Sequence, residues 1–523
     1  MTSPLDPQEA GPPIVWSIAG SDSGAGAGLQ ADLKAFEAFG VHGCTAVAAL
    51  TAQNSRAVTD IFPVSAATLD AQLAALAEDM PPAAIKTGLL GSVENVGVVC
   101  RWVDRLREGG SPVALVVDPV FKASSGASFS NAALAAAYRE QLLPRASLIT
   151  PNRAEAAQLA GLPDDGSDNA VETIAAALLA LGTQSLAVTG GDHGAGMARD
   201  YMHTAQARGW LRAPRVATPH NHGTGCVFAA SAAAALALGH VCADALVLAK
   251  MATSAALRNA YPAGRGAGPV RPRADFAQQA VNLPALEVPG APTGPFAPLS
   301  DPDLGVYAVV DSPAWVERVL HAGIRCVQLR IKNPQEPTLS AQIGHAVALA
   351  RAVPGAQLFI NDHWELALAH GAYGVHLGQE DLVSAELPRI AQAGVRLGIS
   401  THSYWEVARA HGIAPSYIAC GPIFPTQAKQ MPWIPQGLSN LRYWAGLLSR
   451  PVVGIAGIGL ANMQEAAAQG VAGAAVISAI TAAAEPEAAC HQLMALFARG
   501  SGQSRPPMPP HAVPTLPRDA PRH

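Results

Sequence analysis

The hydrophobic residues of the chain fall into short apolar runs that alternate with amphipathic stretches of helical character. In the first half, the helical stretches include residues 93–106 and 131–142. The predicted strands cover residues 14–18, 45–50, 84–89, 113–117, 147–149 and 186–188. Nearly continuous apolar strands with crossover helices are typical of a parallel sheet that is covered on both faces. The first half is therefore predicted to be an α/β domain with a doubly covered, mostly parallel sheet.

A shorter repeat of strand, polar turn and helix begins at residue 304. Its strands are predicted at residues 305–310, 326–329, 357–360, 374–377, 396–399, 417–419, 451–455 and 473–477. Eight such units within roughly 200 residues are the expectation for a (β/α)8 barrel, or TIM barrel, whose active site lies at the carboxyl ends of the strands. The second half is therefore predicted to be an α/β barrel of this kind.

Prolines and glycines interrupt both patterns between the two halves and again at the end of the chain. The chain has 523 residues, which is too long for one core because domains average about 150 residues. We place the first domain at residues 14–270, a Pro/Gly-rich linker at 271–303 and the barrel at 304–497. The Pro- and Arg-rich tail at 498–523 is predicted to be disordered.

Composition excludes several classes of protein. Only 14% of the residues are charged and the net charge is -5, so the chain has no basic footprint for nucleic acid. The seven cysteines contain no C-x-x-C pair, which argues against a zinc site or a disulfide framework. The sequence shows no signal peptide and no apolar run of about 18 residues, so we expect no membrane association and a cytoplasmic location. The sequence leaves homo-oligomerisation open.

The segment H-G-T-G-C at residues 222–226 precedes an Ala-rich stretch with strong helix propensity. At the start of a helix, backbone N–H groups lack intrahelical partners and lie in a positive field. We therefore expect Gly223, Thr224 and Gly225 to form a site for a phosphoryl group. Cys226 would lie in the first turn, where the same field favours a thiolate. The alternative interpretation is an ordinary glycine-rich loop with a buried cysteine.

Further polar residues follow the predicted strands of the first half. The glycine-rich loop at 19–28 is not a dinucleotide fingerprint, because the position that needs glycine is Leu29. Asn152 and Glu155 could hold a hydrated Mg²⁺ over nucleotide phosphates, or they could cap a helix. The remaining candidates in this loop and at strand ends are Asp22, Gln53, Asn54, Asp118, Gly190 and Gly191.

In their order, the motifs of residues 14–270 resemble those of hydroxymethylpyrimidine (phosphate) kinase, which has the ribokinase-like fold. The matching segments are A-G-S-D-S at 19–23, Q-A-D-L-K at 30–34, A-Q-N at 52–54, K-T-G at 86–88, V-D-P-V at 117–120, T-P-N at 150–152 and H-G-T-G-C at 222–226. Sugar kinases of this fold have Asp where this chain has Cys226, which points to the pyrimidine and pyridoxal kinase branch.

The resemblance implies roles for individual residues. Asp22 and Gln53 would contact the pyrimidine. Catalytic roles in phosphoryl transfer would belong to Gly223, Gly225 and Cys226. Binding of ATP and its Mg²⁺ would belong to Asn152, Glu155, Gly190, Gly191 and Thr224. One departure is Thr189, since the family usually has lysine at this position beside the nucleotide.

In the second half, polar residues are concentrated at or just beyond the predicted strand ends. They are Gln328, Arg330, Lys332, Asn361, Asp362, Gln379, Asp381, Ser400, Thr426, Lys429, Gly457, Ile477 and Ser478. This set contains two carboxylates suited to Mg²⁺, several cations, and glycine-rich turns after the seventh and eighth strands, where barrels commonly bind phosphate. For Asp381, the alternative is the N-cap of a helix that begins near Leu382.

The motifs of residues 304–497 resemble those of thiamine phosphate synthase. They are Q-L-R-I-K at 328–332, N-D at 361–362, V-H-L-G-Q-E-D at 375–381, G-P-I-F-P-T at 421–426 and G-I-A-G-I at 454–458. The implied contacts with the pyrimidine diphosphate come from Gln328, Arg330, Lys332, Asn361 and Lys429, of which Lys429 is also catalytic. The implied Mg²⁺ ligands are Asp362 and Asp381, and Ser400 would touch the pyrimidine amine. The implied seat of the thiazole phosphate comprises Thr426, Gln427, Ala428, Gly457, Ile477 and Ser478.

The two resemblances support each other, because the diphosphate made by a pyrimidine kinase is the substrate that the synthase consumes. Together they imply a bifunctional enzyme of thiamine biosynthesis that uses ATP and Mg²⁺ and has only small-molecule substrates as partners. One alternative is a pyridoxal-type kinase joined to a thiazole tautomerase. Another is a metabolite-binding regulator with an inactive kinase half, to which Thr189 would be suited.

Overall fold

The computed structural model describes residues 11–121, 132–191, 196–426 and 432–517. The chain divides into two compact units, with the division between Pro284 and Ala285. Each unit is described by itself. Among the described helices, none combines the length and the apolar character needed to cross a membrane.

The first unit is built on a single sheet. Its described strands are β1 (Ile14–Asp22), β2 (His42–Gln53), β3 (Val58–Pro63), β4 (Ala84–Thr87), β5 (Ala114–Val117), β6 (Leu148–Ile149), β7 (Leu186–Val188), β8 (Met197–His203) and β9 (Arg208–Pro214). They lie in the order β9-β8-β7-β6-β5-β4-β1-β2-β3. The pairs from β2 through β1 to β7 are parallel, whereas β3, β8 and β9 pair antiparallel at the two margins. The predicted, mostly parallel sheet is confirmed.

Helices cover both faces of this sheet. They are α1 (Gly28–Phe39), α2 (Ala66–Asp79), α3 (Val93–Glu108), α4 (Ala132–Ala137), α5 (Arg153–Ala160), α6 (Asp168–Ala180), α7 (Thr224–Ala237) and α8 (Cys242–Arg258). Helix α7 is rich in alanine and is buried along nearly its whole length from Val227. It packs against α1, α8, β4 and β5. Small side chains permit this close approach on every side, and they bring the start of α7 to the strand ends.

The second unit contains a closed barrel of eight parallel strands. They are β11 (Gly305–Val310), β12 (Cys326–Leu329), β13 (Gln357–Asn361), β14 (Gly374–Leu377), β15 (Arg396–Thr401), β16 (Tyr417–Cys420), β17 (Val452–Gly454) and β18 (Gly473–Val476). Strand β18 pairs with β11 and closes the barrel. The predicted (β/α)8 barrel is confirmed. Before it, a two-residue strand, β10 (Ala285–Leu286), packs against the fifth helix of this unit, α13.

The helices of the second unit follow the strands. They are α9 (Pro313–His321), α10 (Leu339–Arg351), α11 (Trp364–Ala369), α12 (Leu387–Gln392), α13 (Tyr404–Ile413), α14 (Gly437–Leu447), α15 (Met463–Ala468), α16 (Ser478–Thr481) and α17 (Pro486–Ser501). Inside the barrel, the rings of Tyr307, Phe359 and Tyr417 pack against one another with centroids 5.1 to 5.9 Å apart. Large aromatic side chains therefore fill the interior, which is a packed core and not a channel.

The structure differs from the expected linker and tail. Within residues 271–303, the ring of Phe276 packs in a tilted arrangement against that of Phe39, with 4.6 Å between centroids, and the side chain of Phe296 is buried. The expectation of disorder fails for residues 498–517. Helix α17 continues to Ser501, and Leu516 is 7% exposed. Here buried apolar side chains order segments that are rich in proline. Composition alone does not show which side chains will be buried.

Candidate active sites

A cavity of about 590 Å³ opens at the carboxyl ends of the parallel strands of the first unit. Nine of the residues predicted for this site line it. They are Gln53, Asn152, Glu155, Gly190, Gly191, Gly223, Thr224, Gly225 and Cys226. The location agrees with the rule that open α/β sheets bind ligands beyond the carboxyl ends of their strands.

Asp22, the tenth predicted residue, organises a loop beside the cavity. Its carboxylate accepts hydrogen bonds from the backbone N–H groups of Gly24, Gly26 and Ala27 at 2.7 to 2.9 Å. The Nε2 atom of His222 lies 3.2 Å from the same carboxylate. Burial acts to raise the pKa of Asp22, but these hydrogen bonds outweigh it and lower the pKa. Asp22 is 2% exposed and already bonded, so it positions this loop, and its expected contact with the pyrimidine stays a prediction.

The start of α7 is pressed against that loop. Gly223 has a φ of 83°, and a Cβ added there would lie 2.0 Å from the carbonyl oxygen of Gly26. Only glycine permits this conformation and this approach. Thr224 Oγ1 donates to the carbonyl of Asn221 at 2.6 Å, so its hydroxyl fixes the turn. The start of α7 therefore lines the cavity, where backbone N–H groups without intrahelical partners suit an anion, and the predicted phosphoryl site stays a prediction.

Cys226 differs from the prediction in its protonation. Burial raises the pKa of the thiol to about 12, and Asp118 and Asp32 add to the rise although Lys86 opposes it. The predicted thiolate is therefore contradicted, because desolvation and two neighbouring carboxylates outweigh the field of the helix. At neutral pH, Cys226 is a neutral thiol that can donate a weak hydrogen bond.

Beneath Cys226 lies a buried ionic cluster. Lys86 Nζ contacts both carboxylate oxygens of Asp32 at 2.9 and 3.0 Å and lies 3.8 Å from Asp118. Ser17 Oγ also donates to Asp32. Burial disfavours the ammonium ion, but the carboxylates outweigh it and raise the pKa of Lys86. The cavity floor therefore holds a fixed positive charge.

Asp118 and Glu155 form an acidic pair at the same cavity. Burial raises the pKa of Asp118 to about 6 and that of Glu155 to about 8, and Asp118 contributes to the second shift. Asp118 Oδ2 accepts no hydrogen bond within the described residues. Two buried carboxylates fit a divalent cation whose other ligands are water and substrate phosphate, and the only cation near Asp118 Oδ2 among the described residues is Lys86, 3.8 Å away.

Asn152 and Glu155 also make the capping box that was the alternative interpretation. Asn152 Oδ1 accepts from the N–H of Glu155 at 3.0 Å, and Glu155 Oε2 accepts from the N–H of Asn152 at 3.0 Å. The Asn152 oxygen is therefore engaged at the helix end. The Glu155 oxygens also accept backbone hydrogen bonds, so the role of Asn152 at a cation stays a prediction, and Asp118 adds a second carboxylate beside Glu155.

The glycine pair that was predicted to contact ATP is held by a second buried ion pair. Gly190 N–H donates to Asp200 Oδ1 at 3.0 Å, and Asp200 Oδ2 accepts from Lys250 Nζ at 2.6 Å. Lys250, from α8, also lines the cavity. Lys250 thus supplies a cation near the glycine pair that follows Thr189.

In the barrel, the two predicted metal ligands lie together at the strand ends. Burial raises the pKa of Asp362 to about 6, with a further rise from Asp381 and an opposing effect of Arg330. Asp362 has a φ of 61°, which is unusual for a residue other than glycine. Asp381 is not the helix cap of the alternative interpretation, because its Oδ2 accepts from Gly378 N–H at 3.1 Å, behind it in the chain. Two adjacent carboxylates of this kind fit Mg²⁺.

The other predicted residues of the barrel surround this acidic pair. Gln328 lies one residue before the end of β12 and is buried, Arg330 and Lys332 follow the strand, and Asn361 donates to Asp362. Ser400 Oγ lies 2.8 Å from His376 Nε2. At the opposite side, Gly457 has a φ of 71°, Ile477 is 39% exposed and Ser478 begins α16. Thr426 ends the described part of its loop, and the predicted Gln427, Ala428 and Lys429 lie outside the described residues.

Comparison with known proteins identifies both units. A family model described as phosphomethylpyrimidine kinase matches residues 22–271, and one described as thiamine monophosphate synthase matches residues 306–480. A thiamine-phosphate synthase of Klebsiella pneumoniae is 52% identical over 198 residues, which cover 38% of this chain and 93% of the relative. The chain belongs to the thiamine-phosphate synthase family. A thiamine-phosphate synthase of Salmonella newport is 50% identical over 39% of this chain and 95% of its own length.

Solved kinase structures match the first unit. A pyridoxal kinase of Bacillus subtilis is 33% identical, covering 50% of this chain and 97% of that chain, with a TM-score of 0.46. A phosphomethylpyrimidine kinase of Clostridium difficile is 30% identical, covering 46% and 98%, with a TM-score of 0.40. By the two family-model matches, the chain joins a phosphomethylpyrimidine kinase domain to a thiamine-phosphate synthase domain, and both domains are transferases of thiamine biosynthesis.

Several residues of this bifunctional enzyme were not singled out from the sequence. Lys86 lies within a matched motif but was not assigned a role, and its pairing with the predicted strand-end residue Asp118 has no local signal. Lys250 does have a local signal in the sequence, since it is a single cation inside an otherwise apolar stretch of α8. His376 and Tyr417 lie in apolar strands and could be read only as core residues.

Proposed function

We propose that the first unit transfers phosphoryl groups from ATP to 4-amino-5-hydroxymethyl-2-methylpyrimidine and then to its monophosphate. The observation that carries this proposal is the meeting, in one cavity, of the α7 amino terminus, the cation Lys86 and the acidic pair Asp118 and Glu155. The N–H groups and the cation suit negatively charged phosphate oxygens, and the acidic pair suits Mg²⁺. Catalysis of phosphoryl transfer consists mainly of such positioning and charge stabilisation.

In the first transfer, the pyrimidine hydroxyl oxygen forms a bond to the γ-phosphorus while the bond from that phosphorus to ADP breaks, and the hydroxyl proton leaves to solvent. In the second transfer, an oxygen of the monophosphate is the attacking atom. The N–H groups of Gly223 to Cys226 would hold the oxygens of the transferring group. Because its thiol is neutral, we assign Cys226 to donating a hydrogen bond to that group and not to removing the hydroxyl proton. Gln53 would bind the pyrimidine, and Asp22 would act through the loop that it holds.

Asp118 and Glu155 are the residues that we propose as Mg²⁺ ligands in the kinase unit. When bound, Mg²⁺ neutralises phosphate charge and orients the phosphate chain. Lys250 and Asp200 would hold the Gly190 and Gly191 backbone against the nucleotide, so that Thr189 need not carry a charge.

We propose that the barrel joins the pyrimidine diphosphate to 4-methyl-5-(2-phosphoethyl)thiazole. The carbon–oxygen bond to pyrophosphate breaks, the thiazole nitrogen forms the new bond to that carbon, and both electrons of the broken bond leave with pyrophosphate. Arg330 and Lys332, with Lys429, would stabilise the departing group, and Gln328 and Asn361 would orient it. Asp362 and Asp381 would hold Mg²⁺, whose charge also favours departure of pyrophosphate.

The remaining barrel residues would bind the two rings. Ser400 would contact the pyrimidine, and the turns at Gly457 and Ser478 would seat the thiazole phosphate together with Thr426, Gln427, Ala428 and Ile477. The substrates are all small molecules. A cytoplasmic location, homo-oligomerisation and the absence of nucleic acid stay predictions.

The two half-reactions test the two sites separately in the full chain. With ATP and Mg²⁺, the chain should release ADP on addition of the hydroxymethylpyrimidine, with pyridoxal as the comparison substrate. With supplied pyrimidine diphosphate and thiazole phosphate, it should form thiamine phosphate without ATP. Faster turnover of pyridoxal than of the pyrimidine would refute the first assignment, and no thiamine phosphate in the second assay would refute the other.

A further inference from the structure

A chain of hydrogen bonds crosses the interior of the barrel. Gln328 Nε2 donates to the Tyr307 hydroxyl at 3.2 Å, and the hydroxyls of Tyr307 and Tyr417 lie 2.8 Å apart. The Tyr417 hydroxyl lies 2.7 Å from His376 Nδ1, and His376 Nε2 lies 2.8 Å from Ser400 Oγ. Five strands each contribute one member. We call this set the barrel relay.

The barrel relay is shielded from water. Tyr417 is 0% and Tyr307 1% exposed, and Gln328 and His376 are also buried. The His376 and Tyr417 rings stack with centroids 5.7 Å apart. Buried polar groups are costly when unpaired, so each member depends on the next one.

A glycine makes room for the middle of the relay. A Cβ added at Gly398, on β15, would lie 2.1 Å from Tyr417 Cζ and 2.4 Å from its hydroxyl oxygen. The Tyr417 hydroxyl therefore occupies the space that a side chain at 398 would fill. An alanine there would displace this hydroxyl from both of its partners.

The donors in the relay define a direction. The amide nitrogen of Gln328 can only donate, so the Tyr307 oxygen accepts from it, and we infer that the Tyr307 hydroxyl donates to the Tyr417 oxygen. Tyr417 in turn donates to His376 Nδ1, and a neutral imidazole bonded in this way carries its proton on Nε2. His376 then donates to Ser400, whose own proton remains for an acceptor outside the relay.

We propose that Tyr307, Tyr417 and His376 are positioning residues of the synthase, which orient Ser400 so that its hydroxyl donates to a ring nitrogen of the bound pyrimidine, beside the amine. The inference rests on the proposed function, because it gives Ser400 its substrate. It adds the direction of the hydrogen bond at Ser400 and the residues that set it. The ends of the relay, Gln328 and Ser400, would both contact the pyrimidine diphosphate, so disruption in the middle would affect this substrate and spare the thiazole phosphate.

The test is a double-mutant cycle in the full chain. Tyr417→Phe removes one hydroxyl and keeps the ring, and it should lower kcat/KM for the pyrimidine diphosphate about tenfold while KM for the thiazole phosphate is unchanged. In a Ser400→Ala background, the same substitution should cost less than about twofold, because the residue through which it acts is gone. Kinase activity of each variant controls for the amount of active chain, and the melting temperature of the barrel controls for its folding.

Tyr373→Phe is the matched control. Its hydroxyl contacts Gln357 and Ser300 in the same unit but has no part in the relay, so synthase kinetics should be unchanged. Tyr307→Phe and Gly398→Ala are second routes to the same loss and keep the test decisive if Tyr417→Phe proves unstable. An equal loss in the presence and absence of Ser400, or no loss in any relay variant, would overturn the proposal while leaving the synthase assignment intact. An inactive wild-type barrel would overturn both.

Discussion

Glu155 should make the stability of the kinase unit fall as the pH rises. Its carboxyl group is 8% exposed, and its pKa is raised from 4.5 to about 8. A group with a raised pKa binds more protons in the folded than in the unfolded state between these two values. Its stabilising contribution is therefore complete below pH 4.5 and is lost as the pH rises to about 8. A shift of this size corresponds to about 5 kcal/mol.

Glu155→Gln removes this titration with little change in shape. Glutamine has one acceptor oxygen where Glu155 uses two, toward the N–H groups of Phe121 and Asn152, so the substitution should cost about 1 kcal/mol at low pH. At pH 8 this cost is outweighed, and the variant should be more stable than the wild type by about 3 to 4 kcal/mol. The melting temperature of the kinase unit should then rise by roughly 10 °C.

Differential scanning calorimetry at pH 5 and pH 8 measures this difference directly. Glu172→Gln, at an exposed position of α6, is the matched control and should follow the wild type at both values. Mg²⁺ should raise the wild-type melting temperature more at pH 8 than at pH 5, because it would bind the ionised pair, and Glu155→Gln should abolish that gain. Identical pH dependence of wild type and Glu155→Gln would refute the reasoning about Glu155 and its role beside Asp118.

Three further predictions concern other parts of the chain. Cys226→Ala should lower kinase kcat about 10²-fold and Cys226→Ser much less, because serine retains a donor; equal losses would argue against hydrogen bonding. Asp381→Asn keeps an acceptor for Gly378 but removes the charge beside Asp362, so most synthase activity should vanish and the Mg²⁺ requirement should rise; a normal Mg²⁺ titration would contradict the metal assignment. Removal of residues 504–523 exposes the site of Leu516 and breaks the hydrogen bonds of Ala512 to Tyr404 and of Val513 to Asn440. It should therefore destabilise the barrel by about 3 kcal/mol or more. An unchanged melting temperature of the barrel would show that the tail contributes nothing.

The parallel strands of both units could be predicted from the sequence because burial on two faces demands apolar runs. Strands β3 and β8 could not, since they lie toward the margins of the sheet and have partly exposed polar residues such as Asp60 and Arg199. The order of the tail could not be predicted for a related reason. Its few apolar residues have no periodicity, and only their burial against the barrel reveals why they are ordered.

The parts of the candidate sites that lie in short sequence motifs could be predicted. The phosphoryl site at Gly223 follows from local backbone chemistry, and nine expected residues line its cavity. The protonation of Cys226 could not be foreseen, because it depends on burial and on Asp32, Lys86 and Asp118, which are distant in sequence. The barrel relay is similar. His376 and Tyr417 are 41 residues apart, and only closure of the barrel brings them into contact.

The central claim is that one chain performs three consecutive steps from the hydroxymethylpyrimidine to thiamine phosphate. The most direct measurement supplies the full chain with the hydroxymethylpyrimidine, the thiazole phosphate, ATP and Mg²⁺, and follows ADP and thiamine phosphate together. At completion, the account predicts two ADP for each thiamine phosphate, since both phosphorylations precede the condensation. Release of ADP without thiamine phosphate, or no turnover unless the pyrimidine diphosphate is supplied, would contradict it.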